Sequence, residues 1–187
     1  MSSPELNPVS YVVLGLVTRD GPSTPYELKT AVGRGIAHFW QFPHSQIYAE
    51  TERLARLGLL TERREQTGRR RRTYRITRQG RAALEAWLAE PTSEATQLRS
   101  LGLLQLYFGW FATPEDVAAL ARAQVEMHRE RSARWTDTFE GLRGRDDRRW
   151  QREVAEIAFQ AEASMAEQWE RVWQRAEDGA RRPAAGD

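Results

Sequence analysis

Residues 45–76 read SQIYAETERLARLGLLTERREQTGRRRRTYRI, and this stretch decides which fold the sequence predicts. Its first part predicts a helix over residues 44–57, because Ile47, Thr51 and Leu54 recur at the i, i+4, i+7 spacing of one helical face. The helix is therefore expected to bury that face and to leave its other faces polar.

Gly58 ends this helix in the position of a C-terminal capping glycine. Two short strands are then predicted, at residues 61–65 and 73–76, around a loop that contains Gly68. The resulting β-hairpin carries four consecutive arginines: Arg69, Arg70, Arg71 and Arg72. Because successive strand residues face opposite sides, about two of the four are expected to reach a common side.

Two further helices are predicted on the N-terminal side of this stretch. Asn7 and Pro8 open the first, and the capping box Thr24-Pro25-Tyr26-Glu27 opens the second. The aromatic linker at residues 38–43 is expected to pack on the core rather than to bind a ligand. Helix, capped helix, helix and basic hairpin, in this order, predict a winged helix-turn-helix, whose third helix fits the major groove of duplex DNA.

The rest of the chain is predicted to be helical. Thr77 caps a fourth helix that runs to about Leu88. A strongly apolar helical segment follows at residues 98–111, with Leu101, Leu104, Phe108 and Phe111 on one face. Two longer helices are expected over residues 114–142 and 147–176.

The predicted fold class is mainly α: a winged helix-turn-helix (three helices plus a β-hairpin wing) followed by a long antiparallel helical C-terminal dimerisation domain. We expect a DNA-binding domain at residues 1–90, a helical dimerisation and candidate effector domain at 91–178, and a disordered tail at 179–187. Whether the C-terminal helices pack within one subunit or swap between subunits stays open.

Charge is unevenly distributed along the 187 residues. Residues 1–90 hold 14 basic and 9 acidic side chains, whereas residues 91–187 hold 14 basic and 17 acidic ones. The net charge of the whole chain is only +2. Nine arginines and two acids fall within residues 61–81. A basic segment on a near-neutral molecule is typical of a protein that binds a polyanion.

The composition excludes several classes of protein. The absence of cysteine excludes disulfides and thiolate metal sites and favours a reducing compartment. We expect a soluble, cytoplasmic protein, because the sequence has neither a signal peptide pattern nor about 18 consecutive apolar residues. His38, His44 and His128 lack ligand spacing, and catalytic or phosphate-loop motifs are missing, so no metal, cofactor or catalytic residue is predicted, and no enzyme.

Several short motifs occur in order across residues 9–90. They are Leu14-Gly15-Leu16, Tyr26-Glu27-Leu28-Lys29, Ser45-Gln46-Ile47-Tyr48, Arg53-Leu54, Gly58-Leu59-Leu60, Tyr74-Arg75-Ile76-Thr77 and Gly80. With this set the sequence resembles the PadR family of bacterial transcriptional regulators, in the subgroup with a long helical C-terminal dimerisation region. The resemblance implies a regulator, most often a repressor, that binds operator DNA as a homodimer with its two recognition helices about 34–36 Å apart.

Carried over by position, the resemblance also implies which residues contact DNA. The recognition helix would present Ser45, Gln46, Tyr48 and Ala49, and phosphates or the minor groove would be met by Lys29, Arg69, Arg70, Arg71 and Arg72. For Tyr48 the alternative is packing, for Gln46 it is simple solvation, and for Arg53 an intrahelical ion pair is favoured over a DNA contact.

Two residues depart from the family pattern. Ala49 stands where the family usually has proline, which should do no harm because alanine is the best helix former. Thr51 stands where leucine is usual, so the recognition helix is expected to pack less firmly.

The C-terminal half carries two further predictions. Apolar residues whose spacing alternates between three and four predict a dimer seam formed by Val154, Ile157, Ala161, Met165, Trp169 and Val172. The inducers known for the family also suggest a cavity for a small aromatic effector. The residues predicted to line it are Trp110, Trp135, Trp169 and Trp173. The alternative is that these tryptophans fill seams between helices.

A second functional hypothesis stands beside the DNA-binding regulator. A winged helix can also dock on protein, which would make the chain a helical adaptor that does not bind DNA. The arginine-rich hairpin favours the regulator, because a protein adaptor has no need for four arginines in a row.

Overall fold

The computed structural model describes residues 5–64 and 71–181, and the chain forms two compact units that divide after Glu94. The elements of the first unit are α1 Pro8–Asp20, α2 Pro25–Gly33, α3 Ser45–Arg56, β1 Leu60–Arg64, β2 Arg72–Ile76 and α4 Arg78–Ala89. Those of the second are α5 Leu101–Tyr107, α6 Pro114–Gly141 and α7 Arg149–Arg181. The predicted fold class, a mainly α winged helix-turn-helix followed by long C-terminal helices, is confirmed.

The helices of the first unit begin where the sequence places capping residues. Asn7, Thr24 and Thr77 each accept a hydrogen bond from the backbone N–H three residues later, which satisfies one of the free donors of α1, α2 and α4. The three helices of the motif then bury their apolar faces in one core, formed chiefly by Val13, Leu14, Val17, Leu28, Val32, Ile47, Leu54, Leu59, Leu60 and Tyr74.

The hairpin is attached to this core through Leu60 of β1 and Tyr74 of β2, and β2 also pairs with a third segment. β1 and β2 pair antiparallel with Leu60 opposite Ile76 and Arg64 opposite Arg72. The backbone of Ser23 donates to the carbonyl of Tyr74 at 3.0 Å and accepts from its N–H at 2.9 Å. The wing is therefore held at its base by the turn that precedes α2. The predicted tip residues Arg69 and Arg70 lie outside the described residues.

Two glycines shape the junction between α3, the wing and α4. Gly58 has φ +73°, a conformation that ends α3 and that other residues rarely adopt. A Cβ at Gly80 would lie 2.1 Å from the carbonyl oxygen of Leu59, so only glycine allows α4 to start this close to the chain that enters β1.

Three expectations about local structure need correction. In the aromatic linker Phe42 packs on the core, but Phe39 and Trp40 are exposed, because the core is covered at this point by Phe42 and by Ile36 and Ala37, which precede the linker. The apolar segment at residues 98–111 is not one helix: α5 has seven residues and a 3-10 turn follows. The tail was expected to be disordered over residues 179–187; α7 continues to Arg181, and residues 182–187 lie outside the described residues.

The second unit is built on an antiparallel pair of long helices. Arg122 of α6 pairs with Glu177 of α7 and Arg131 pairs with Glu162, so increasing positions along α6 meet decreasing positions along α7. Their apolar seam contains Ala121, Val125 and Trp169. Within the described part of the chain, no helix is long and apolar enough to cross a membrane.

Candidate nucleic-acid interface

Helix α3 buries one face and exposes the opposite one. Ile47, Thr51 and Leu54 are fully buried, as their spacing predicted. The hydroxyl of Thr51 donates to the carbonyl of Ile47 at 2.6 Å, so the residue that departs from the family pattern leaves no unsatisfied polar group. The exposed residues of the helix are Ser45, Gln46, Tyr48, Ala49, Glu52 and Arg56.

A buried carboxylate attaches α3 to α1. The Glu50 side chain accepts hydrogen bonds from the Ser10 hydroxyl at 2.5 Å and from Arg53 Nη2 at 2.8 Å and Nε at 2.9 Å. Arg53 also donates to the backbone carbonyl of Glu5 at 3.3 Å. Burial raises the pKa of Glu50, but the bonds from Arg53 and Ser10 outweigh it and hold the pKa below its usual value.

This network fixes the orientation of α3 on the core. It also confirms the expected intrahelical pair for Arg53, whose guanidinium is turned toward α1 and not toward the exposed face. Sequence spacing identified the Arg53 pair, since Glu50 lies three residues earlier. It did not identify Ser10, because a contact between residues forty positions apart has no local signature.

The described wing arginines are paired with acids of the helices beside them. Arg71 forms an ion pair with Glu27 of α2, and Arg72 Nη1 lies 3.1 Å from Glu52 Oε1 of α3. The backbone hydrogen bond from Thr24, reinforced by Arg71, holds the pKa of Glu27 below its usual value. Glu27 therefore caps α2 and holds the wing at the same time.

A groove of about 660 Å³ lies between α3 and the hairpin. Its charged lining residues are Glu52, Arg56, Glu62, Arg64 and Arg72. Glu62 is central to the groove, because it accepts hydrogen bonds from Arg64 and from the Tyr74 hydroxyl and lies 3.7 Å from Arg72. The hydrogen bond from Arg64 holds the pKa of Glu62 below its usual value, while burial, with the nearby Glu62 charge, raises that of Tyr74.

The structure brings most of the residues predicted to contact DNA to one exposed surface of the N-terminal unit. Ser45, Gln46, Tyr48 and Ala49 are all exposed at the start of α3, and the Tyr48 side chain is 43% exposed rather than packed. Lys29 lies half-buried on α2. The pairing of Glu27 and Glu52 with wing arginines was not anticipated, because these contacts form only when the hairpin folds against α2 and α3. The contacts of Glu62 within the hairpin were not anticipated either.

The predicted dimer residues of α7 divide into two groups. Met165, Trp169 and Val172 pack against α6 of the same chain, and Trp169 is only 2% exposed, so these three belong to a seam within the subunit. In contrast, Val154, Ile157 and Ala161 are exposed, and Ile157 is 70% exposed.

The four tryptophans suggested for an effector cavity do not form one cluster. Trp169 and Trp173 belong to the α6/α7 seam, where Arg122 lies 4.8 Å from the ring centroid of Trp173. Trp135 is buried outside that cluster, and Trp110 is exposed on the 3-10 turn after α5. For Trp169 and Trp173 the structure therefore supports the alternative that they fill a helix seam.

Comparisons with family models and with individual known proteins agree on one family of transcriptional regulators. Residues 13–86 match the transcriptional regulator PadR-like family. The negative transcriptional regulator PadR of Bacillus subtilis is 24% identical over 136 residues, which are 72% of this chain and 74% of the relative.

Solved structures match over nearly the whole chain. The crystal structure of Bacillus subtilis PadR in complex with operator DNA superposes with a TM-score of 0.82 at 21% identity, covering 91% of this chain and 99% of that one. The crystal structure of the same protein in complex with p-coumaric acid superposes with a TM-score of 0.77 at 21% identity, covering 90% of this chain and 98% of that one. The structure of the Vibrio cholerae virulence activator AphA superposes with a TM-score of 0.69 at 20% identity, covering 91% of this chain and 98% of that one.

The likeness spans the winged unit and the long C-terminal helices alike, and the family model covers the segment in which the ordered motifs occur. In sequence over residues 13–86, and in fold over nearly the whole chain, the protein is similar to the PadR-like family of transcriptional regulators.

Proposed function

We propose that the chain is a transcriptional regulator that binds operator DNA as a homodimer, with α3 in the major groove and the wing on the backbone or in the minor groove. The observation that carries the proposal is the exposed face of α3 beside a hairpin rich in arginine. The relative solved with operator DNA supports it. The PadR-like family is a family of regulators and not a class of enzymes. The proposed function requires the protein to be in the cytoplasm, where bacterial DNA lies.

The sign of regulation is proposed to be negative. The relative from Bacillus subtilis is a negative regulator, whereas AphA is an activator. A reporter under the control of the chain's own upstream promoter region tests the sign. Deletion of the regulator should raise expression, and lower expression would make the chain an activator.

DNA binding is tested by titrating that promoter region at two salt concentrations. We expect affinity to fall steeply with salt, because each neutralised phosphate releases condensed counterions. Salt-insensitive or undetectable binding would favour the protein adaptor.

The wing arginines provide a sharper test. Arg71→Gln should weaken binding to all sequences and reduce the slope of log affinity against log salt by about 2, since a dimer loses two phosphate contacts at about 0.9 each. Glu27→Gln should strengthen binding, because glutamine still caps α2 but no longer pairs with Arg71. Arg143→Gln, an exposed substitution in the C-terminal unit, is the control. An unchanged slope in Arg71→Gln would exclude this wing contact.

We propose that dimerisation uses apolar surface that the single subunit leaves exposed. Trp150, Val154, Ile157 and Ala161 form a stripe along the first half of α7, at i, i+4, i+7 and i+11. Around α5 the exposed apolar residues are Leu98, Leu101, Leu104, Tyr107, Phe108, Trp110 and Phe111. Each of these two exposed apolar surfaces is of the kind that marks an interaction site, and a second copy is the partner that the function requires.

A small aromatic effector is proposed to bind within the α6/α7 pair. His128 Nε2 and Trp169 Nε1 are buried and lack hydrogen-bond partners within the described residues, so each is a polar atom that a bound effector would satisfy. His128 Nδ1 is held 2.6 Å from Glu162, which fixes the ring. The relative solved with p-coumaric acid supports an aromatic acid.

The effector proposal predicts that p-coumaric acid binds the wild-type protein and releases it from operator DNA. His128→Phe keeps an aromatic ring in the seam but removes both nitrogens, and it should weaken binding of the acid by about tenfold, the equivalent of one lost hydrogen bond. Titration calorimetry measures the affinity, and Arg143→Gln is again the control. Equal affinity in the wild type and in His128→Phe would remove His128 from the effector site.

A further inference from the structure

One acidic residue lies in the middle of the surface that is proposed to face DNA. At 100° per residue, the side of α3 opposite Ile47 and Leu54 is formed by Ser45, Ala49, Glu52 and Arg56, which recur at i, i+4, i+7 and i+11. All four are exposed, and Glu52 is the one acid among them. The side chain of Glu52 is half exposed and lies one turn beyond Ala49, within the span that a recognition helix presents to base edges.

The wing holds Glu52 in a defined position. Arg72 Nη1 donates to Glu52 Oε1 at 3.1 Å, and Arg72 is also 3.7 Å from Glu62 on β1. The second oxygen of Glu52, Oε2, has no hydrogen-bond partner among the described residues. The carboxylate is therefore anchored through one oxygen, with its charge offset by Arg72, and keeps an acceptor free.

The chemistry of a carboxylate restricts what it can contact in DNA. A phosphate repels it, since both groups are negative. In the major groove, guanine presents the acceptors N7 and O6, adenine places the acceptor N7 beside its amino group, and thymine presents O4 and a methyl group. Cytosine presents only the N4 amino donor, so it is the base that a carboxylate selects.

We propose that Glu52 is a specificity-determining residue that accepts a hydrogen bond from the N4 amino group of a cytosine in each half-site, and that Arg72 positions it. This inference rests on the proposed function. It adds that the operator contains a cytosine, at symmetric positions, whose recognition depends on Glu52.

The test is selection from a pool of random duplex DNA, with the full-length wild type, Glu52→Ala, Glu52→Gln and a control, Glu85→Gln, which removes the same charge from an exposed position on α4. The wild type should enrich a two-fold symmetric sequence with one cytosine per half-site preferred by about 5- to 150-fold over other bases. Glu52→Ala should lose the preference at that position alone. Glu52→Gln should shift it to adenine, which glutamine pairs bidentately.

The positioning role of Arg72 is tested in the same pool. Arg72→Gln should lower the preference for that cytosine, and Arg72→Lys should partly restore it because a cation again faces Glu52. Arg81→Gln, which removes an exposed arginine of α4 that does not line the groove, should leave the preference unchanged.

The outcomes separate this inference from the function on which it rests. If the wild type enriches no sequence, the proposed DNA-binding function fails. If the wild type and Glu52→Ala enrich the same sequence, the function stands and the inference is overturned. Tighter binding of Glu52→Ala to every sequence, with unchanged base preferences, would also overturn it and would make Glu52 only a source of repulsion.

Discussion

Substituting glutamate for Ile157 is expected to convert the dimer into monomers and to lower operator affinity by about 100-fold or more. Ile157 is 70% exposed in the single subunit and lies in the apolar stripe of α7. In a symmetric dimer the substitution would place two carboxylates in the buried interface, where an unpaired charge is strongly unfavourable. A monomer then loses the gain of about 10²–10⁴ that comes from binding two half-sites together.

This prediction is checked by size-exclusion light scattering, followed by titration with operator DNA. Gln174→Glu is the control, because Gln174 is exposed on the same helix but outside the stripe. Trp169 would be a poor choice for this test, since its burial against α6 means that its loss would disrupt the subunit itself. An Ile157→Glu protein that remains dimeric would show that the stripe is not the interface.

Substituting methionine for Arg53 is expected to lower the free energy of unfolding of the N-terminal unit by about 3 kcal/mol. The change removes the guanidinium and leaves the buried Glu50 carboxylate with only the Ser10 hydroxyl as a donor. Breaking a buried pair by removing one partner costs about 3–5 kcal/mol, and the lower end applies because Arg53 is a third exposed. Hydrogen exchange of the α1 and α3 amides measures the loss for this unit alone.

The matched control for this substitution is Arg56→Met. Arg56 lies one turn further along α3 and is exposed, so the change should cost little. The double variant Glu50→Gln/Arg53→Met should be more stable than Arg53→Met, because it removes the uncompensated charge. Equal losses in Arg53→Met and Arg56→Met would show that the network does not stabilise the fold.

The contribution of Arg53 to the free energy of unfolding should also depend on pH. The folded pKa of Glu50 lies below the ordinary 4.5, so the stability it contributes is present above the unfolded pKa and is lost as the pH falls through the folded pKa. Arg53→Met removes the main group that lowers this pKa. The difference in unfolding free energy between the wild type and Arg53→Met should therefore be largest at neutral pH and should narrow as the pH falls below 4.5.

Local patterns in the sequence determined the winged helix-turn-helix and most element boundaries. Caps at Asn7, Thr24 and Thr77, the i, i+4, i+7 spacing in α3, and Gly58 each act within a few residues, so their physical consequences can be read from the sequence itself. The exposed start of α3 followed from the same spacing. The aromatic linker could not be read in this way, because the exposure of Phe39 and Trp40 depends on what the folded core leaves uncovered.

Only the tertiary structure decided which acid each wing arginine pairs with and which apolar residues of α7 are buried within the subunit. The sequence showed a row of arginines, but only folding of the hairpin against α2 and α3 pairs Arg71 with Glu27 and Arg72 with Glu52. A single heptad-like pattern along α7 likewise predicted one dimer seam, and the structure divides it between an intrachain seam at Trp169 and an exposed stripe at Ile157. The physical reason is the same in both cases: periodicity specifies which face of an element is apolar or charged, whereas the neighbour that meets that face is set by contacts between residues far apart in sequence.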